Sequence, residues 1–247
     1  MFGLNYAHIP ESSLQGCIND VKNMSDYLQA LYQIPCDIYT DDVDRVNTSA
    51  IGIIQKLYEL ACISYRDDLE LVWIHYSGHG TFVRDRNGDE RDGRDECIVP
   101  SDYNVGGVIP DDIINNLFKY FNPRTRIIAV FDCCHSATIC DVKYSWEGPK
   151  RVTVENIACN VSAKVITLSG CLDNQVSADA YNVLGDNKFS GAMTSCLLEV
   201  LRTNPFSRRN VFALIDALRL KLRTAGFTQI AKLCSTHNLA RDTIFLP

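Results

Sequence analysis

Two short apolar runs, each ending in a motif rich in reactive side chains, constrain the fold of this chain more than anything else in it. Leu71-Val72-Trp73-Ile74 leads into Ser77-Gly78-His79-Gly80, and Ile127-Ile128-Ala129-Val130-Phe131 leads into Asp132-Cys133-Cys134-His135-Ser136. β-Branched and aromatic runs of this length, bounded by polar residues or glycine, predict buried parallel strands. Open α/β sheets collect ligands just past the carboxyl ends of such strands. Two strand ends therefore deliver His79 and Cys134 to one region, although 55 residues separate them in sequence.

The surrounding pattern agrees with an α/β sheet. Helical periodicity runs over Leu14–Tyr32, Ser49–Ile63 behind a Thr48 N-cap, Ile113–Tyr120, Ala192–Leu201 and Val211–Leu222. Strand-like runs are Cys36–Tyr39, Leu69–Tyr76, Arg126–Phe131 and Val165–Ser169. Alternating strands and helices predict a mostly parallel central sheet with helices on both faces. Met1–Leu4 reads as the tail of a further strand whose front is absent. The stretch from Asp141 to Ala163 breaks the alternation, with Gly148-Pro149 and the dibasic Lys150-Arg151, and reads as a connector. The expected organisation is one domain over 1–247: a larger part (1–141), a connector (142–163) and a smaller part (164–247).

Composition removes several function classes. A net charge of -6 and a pI of about 5.3 argue against a nucleic-acid partner and favour basic ones. No apolar stretch approaches the roughly 20 residues of a membrane span, and the N-terminus lacks the features of a signal peptide. Eleven cysteines in a chain of 247 residues, many inside apolar runs, read as reduced thiols in a cytoplasmic setting.

The motif chemistry is that of a nucleophilic thiol. Cysteine attacks as thiolate, and an adjacent imidazole raises the ionised fraction and later protonates the leaving amine. The glycines beside His79 permit close backbone approach, so the Gly80 and Cys134 amides are candidates for an oxyanion hole. Taken singly, a cysteine is more often a small core residue and a histidine a hydrogen-bonded loop residue. Their separation, close to the roughly 50 residues found in caspases, favours the catalytic reading. A zinc site at His75, His79, Cys133, Cys134 and His135 is disfavoured. There is no C-x-x-C pair, and glycines interrupt the helix that an H-x-x-x-H site needs.

At these residues the chain resembles the metacaspases, caspase-fold cysteine peptidases. Gly16-Cys17-Ile18-Asn19-Asp20 is similar to an early family segment, His75–Gly80 to its histidine motif and Asp132–Ser136 to its nucleophile motif. Asp89–Glu96 resembles its acidic loop, and Ser169-Gly170-Cys171 with Ser177–Ala180 the start of its smaller part. The resemblance implies a three-layer caspase-like fold with p20-like and p10-like parts, of the type I arrangement or a prodomain-less relative of it. It implies His79 as general acid/base and Cys134 as nucleophile, leaving Cys133 as a packing neighbour. It also implies cleavage after Arg or Lys, with Cys17, Asp20, Ser77 and Asp132 forming the substrate pocket. Carboxylates suit such a cation through charge-assisted hydrogen bonds. Read alone, Asp20 is a solvated helix residue and Asp132 a strand-end cap.

Calcium activation is implied at Asp95, Asp111, Asp112 and Asp141. The run Arg84–Glu96 does not satisfy the EF-hand template, but hard cations also accept carboxylates from separate loops. Asp111 and Asp112 have an alternative role at a helix N-terminus after Pro110. Ala137, where the family usually has glycine, is a departure that bears on oxyanion geometry. The expected partners are peptides or proteins with Arg or Lys at the cleavage position, acted on by a monomer, with Lys143, Lys150 and Arg151 as candidate self-cleavage sites. Two rival readings remain: a catalytically silent homologue acting as a scaffold, and a peptidase cutting after acidic residues, which needs arginines in the pocket.

Overall fold

A computed structural model describes residues 1–85, 93–134, 139–170 and 189–247, together with the backbone of 179–181. The first half runs β1 (Phe2–Gly3), α1 (Cys17–Tyr32), β2 (Tyr39–Thr40), α2 (Ala50–Arg66) and β3 (Leu71–Ser77). It continues through β4 (Gly80–Arg84), β5 (Arg94–Ile98), α3 (Tyr103–Gly106), β6 (Ile109–Pro110), α4 (Asp111–Phe118) and β7 (Arg126–Asp132). The second half runs β8 (Tyr144–Gly148), β9 (Arg151–Val154), β10 (Lys164–Ser169), β11 (Asp179–Tyr181) and β12 (Phe189–Gly191). It closes with α5 (Ala192–Thr203), α6 (Pro205–Arg209), α7 (Val211–Thr224) and β13 (Lys232–Ser235).

Eight strands form the main sheet in the order β2-β1-β3-β7-β10-β13-β8-β9. The pairs from β2 through β10 are parallel, and those from β10 to β9 are antiparallel. Alternation along the strands divides the core into two layers. Ile127, Ala129 and Phe131 of β7 face a cluster built with Ile53 and Leu57 of α2 and Phe118 of α4. Ile128 and Val130 face the opposite cluster, with Val21 and Leu28 of α1, Leu197 of α5 and Leu218 of α7. The result is the expected three-layer sandwich, helices on both faces of a mostly parallel sheet.

Several expectations are corrected in detail. The cap of α2 is Ser49 rather than Thr48: Ser49 Oγ accepts the Gly52 amide at 3.1 Å. Thr48 is instead buried and bonded to the Asp44 carbonyl and the Ser101 hydroxyl. The strand expected over Cys36–Tyr39 gives way to β2, which shares only Tyr39 with that run. The expected connector carries two strands, because Gly148-Pro149 is the tip of the β8–β9 hairpin and not a break in structure. Buried Trp146 anchors β8, its ring 5.5 Å from that of Phe212. β4, β5, β6, β11, β12 and β13 also lie outside the expected strand runs.

Candidate active site

The two motif strands are neighbours. β3 and β7 pair in parallel with Ser77 opposite Asp132, so both motifs leave the sheet at the same carboxyl end. The Gly78 amide then bonds the Asp132 carbonyl at 3.3 Å. Gly80 packs so closely that a Cβ there would meet the Cys134 carbonyl oxygen, with the Cys133 side chain next at 3.2 Å. No side chain fits between these backbones. Cys133 is fully buried among the apolar residues of the α2/α4 layer, whereas Cys134 is partly exposed. Residues 135–138, which include His135 and Ala137, lie outside the described residues.

His79 is gripped by the segment after β1. Its Nε2 lies 2.7 Å from the Ser12 carbonyl oxygen. A carbonyl only accepts, so Nε2 carries the proton and Nδ1 is the basic nitrogen. The His79 amide donates to the Tyr6 hydroxyl at 3.0 Å, and the two rings lie 4.8 Å apart at 36°. The Tyr76 hydroxyl is 2.8 Å from the His79 carbonyl. Tyr6 and Ser12 are absent from the set named by sequence, since nothing in their local pattern links them to a histidine some 70 residues away.

A second cluster lies beside these strand ends. Asp20, 1% exposed, accepts the Ser77 hydroxyl at 2.6 Å and the Gly191 amide at 2.9 and 3.0 Å. Asp132, 3% exposed, accepts the Thr194 amide at 2.8 Å in the first turn of α5. A Cβ on Gly191 would touch Asp132 Oδ2 and approach Asp20 Oδ2 to 2.7 Å, so both carboxylates flank one point. Asp20 is therefore not a solvated helix residue. Asp132 does lie at a strand end, where it accepts a helix N-terminal amide. The sulfur-bearing Cys17 is buried at the start of α1. Sequence reasoning missed the donors Gly191 and Thr194, which arrive from the far half of the chain.

The four candidate calcium ligands lie on three segments. Asp95 is on β5, Asp111 and Asp112 open α4, and Asp141 follows the second motif. Burial, then the charges of Asp111 and Asp95, push the Cys97 thiol up to about 12. Burial and then Asp111 also raise the Cys140 thiol, with Asp141 contributing, so these carboxylates border one buried region. The donors are all hard oxygens, which suits Ca²⁺. They are not assembled into a coordination shell. Asp141 accepts a short bond from Asn156, Asp111 Oδ1 accepts the Asp112 amide at 3.0 Å, and among the described residues no group of three His, Cys, Asp or Glu is arranged to hold a metal. Part of the acidic loop, 86–92, lies outside the described residues, as do Cys171, Ser177 and Ala178.

The dibasic Lys150-Arg151 lies at the exposed β8–β9 turn, with Arg151 3.6 Å from Glu147. Among the described residues no helix is long and apolar enough to cross a membrane.

Comparison with known proteins agrees with this arrangement. Residues 1–143 match the family model described as metacaspase, peptidase C14 domain. Metacaspase-5 of Trypanosoma cruzi is 32% identical over 259 residues, covering 95% of this chain and 56% of that protein. Metacaspase-2 of Trypanosoma brucei brucei is 30% identical over 267 residues, covering 98% of this chain and 74% of that protein. This chain thus spans between about half and three quarters of these relatives. Among solved structures, protein GSU0716 from Geobacter sulfurreducens aligns with a TM-score of 0.66 at 22% identity, covering 100% of this chain and 97% of that one. Pro-sf-caspase-1 aligns with a TM-score of 0.57 at 16% identity, over 100% and 88% respectively, which fixes the fold as caspase-like. The family match and the two adjoining motifs lead to one conclusion: this chain belongs to the metacaspases, a family of cysteine-type peptidases.

Proposed function

We propose that the protein is an endopeptidase that cleaves after Arg or Lys, with Cys134 as nucleophile and His79 as general acid/base. The observation that carries this reading is the packing of Gly80 against the Cys134 carbonyl, which joins the two motifs backbone to backbone. The partial exposure of Cys134 beside a buried Cys133 favours Cys134 as the attacking thiol. In the proposed reaction His79 Nδ1 takes the Cys134 proton as the sulfur attacks the substrate carbonyl carbon. The amides of Gly80 and Cys134 steady the oxyanion. His79 then protonates the departing amine as the C–N bond breaks, and water, deprotonated by His79, hydrolyses the thioester and returns the proton to sulfur.

Two carboxylates brought to one buried point favour a cation between them, and a long basic side chain supplies it. That supports Asp20 and Asp132, with Ser77 and Cys17 beside them, as the pocket for the substrate Arg or Lys. Calcium stimulation through Asp95, Asp111, Asp112 and Asp141 belongs to the same proposal, supported by the hard-oxygen donor set. So does self-cleavage at Lys143, Lys150 or Arg151. The β8–β9 turn is three to four strand positions from β7, roughly 14–19 Å at normal strand spacing, which favours cleavage there by a second molecule.

The test is turnover of an Arg-P1 and an Asp-P1 fluorogenic peptide, with and without calcium, by wild type and Cys134→Ala. Turnover of the Arg peptide by wild type alone, rising with calcium, is expected. Turnover of the Asp peptide alone would overturn the acidic pocket, and equal activity of Cys134→Ala would overturn the nucleophile.

A further inference from the structure

We propose that Tyr6, held in place by Asp41, is the positioning residue for His79; this rests on His79 being the general acid/base. Three contacts reach the histidine from the segment that follows β1. The Tyr6 hydroxyl accepts its amide at 3.0 Å, the Tyr6 ring lies 4.8 Å from the imidazole, and the Ser12 carbonyl accepts Nε2–H at 2.7 Å. The first contact fixes the backbone, the second the ring plane, and the third the tautomer. The Tyr6 hydroxyl itself is fixed, because it donates to the Val99 carbonyl at 2.6 Å and lies 3.0 Å from the Tyr76 hydroxyl.

Tyr6 takes a conformation it would not choose alone. Its φ is 52°, in the left-handed region, although its side chain is fully buried. That conformation costs a bulky L-residue free energy and persists only where the surroundings impose it. Asp41 imposes it: Oδ1 accepts the Asn5 amide at 2.8 Å and Oδ2 the Tyr6 amide at 2.6 Å. Asp41 is buried at the end of β2, so its grip is not shared with solvent.

The test compares wild type, Tyr6→Phe and Asp41→Asn by kcat and KM on the Arg-P1 peptide and by ¹⁵N NMR of the His79 imidazole, assigned with His79→Gln. Tyr6→Phe keeps the ring and loses the hydroxyl. It is expected to lower kcat about tenfold with KM within twofold of wild type, because reacting groups lose alignment while the substrate pocket is untouched. Its His79 Nε2 and Nδ1 signals are expected to leave the positions of a single Nε2–H tautomer. Asp41→Asn is expected to shift both readouts in the same direction. Unchanged kcat and unchanged imidazole signals in Tyr6→Phe would overturn the proposal, as would a rise in KM without a fall in kcat. If wild type turns over neither peptide, the peptidase reading fails, and the imidazole signals alone decide the positioning role.

Discussion

Gly80 shows how a single residue couples two distant parts of the chain. Its Cα faces the Cys134 carbonyl oxygen, and the neighbour that would have to yield is backbone. Gly80→Ala is expected to separate the histidine and cysteine motifs and to lower kcat by at least about 100-fold, the scale at which misplacement of about 1 Å is felt. Thermal unfolding of the same variant checks that the chain still folds; an unchanged kcat would show that the contact is not needed. The need for a small residue here was legible beforehand, because glycines flanking a histidine at a strand end imply close backbone approach. Tyr6 was not legible in the same way. Its role depends on an amide 73 residues away and on a carboxylate 35 residues away.

Among the elements, α4 holds the loop after the nucleophile motif. Asn115, buried in its middle, donates from Nδ2 to the carbonyls of Cys140 and Asp141 at 2.9 and 2.8 Å. Those two residues have φ of 88° and 46°, so the turn that presents Asp141 is one that side-chain-bearing residues seldom adopt. Asn115→Leu keeps the shape and strands the buried Cys140 carbonyl, while the Asp141 carbonyl keeps only its 3.4 Å bond from Asn156 Nδ2. A buried acceptor left unpaired costs about 1–3 kcal/mol, so urea unfolding is expected to show a loss of about 2 kcal/mol. A loss under about 0.5 kcal/mol would show that the turn stands without this side chain. The N-terminus of α5 does the matching work for Asp20 and Asp132, through the Gly191 and Thr194 amides. Strongly periodic helices such as α1, α2, α5 and α7 were readable to within a few residues. The β8–β9 hairpin was not, because a Gly-Pro pair and a dibasic step have the same composition in a hairpin tip as in a loose connector.

Across the whole molecule, the sheet buries a titratable group that the proposed reaction does not use. His75 on β3 is fully buried, its Nε2 3.2 Å from the Thr194 hydroxyl, and burial pushes its pKa down to about 3. The unfolded chain binds this proton near pH 6.5 and the folded one does not. The contribution to stability is therefore full above pH 6.5 and lost progressively as pH falls towards 3. Between pH 7 and 5 this one group is expected to remove about 2 kcal/mol. Comparing wild type with His75→Asn by urea unfolding at the two pH values checks it, and an equal pH response in both would refute it. His237, also lowered by burial, acts with the same sign in both proteins.

The strands that carry His79 and Cys134, the helices on either side and the parallel character of the sheet's first half are legible in the linear sequence. These follow from local periodicity, which a linear pattern records. That Gly80 meets the Cys134 backbone, that Tyr6 and Ser12 hold the histidine, and that Asp20 and Asp132 face one point beside Gly191 emerges only once the chain is folded. Each of these depends on distances between segments far apart in sequence, set by strand register and helix packing, and no local pattern encodes such distances.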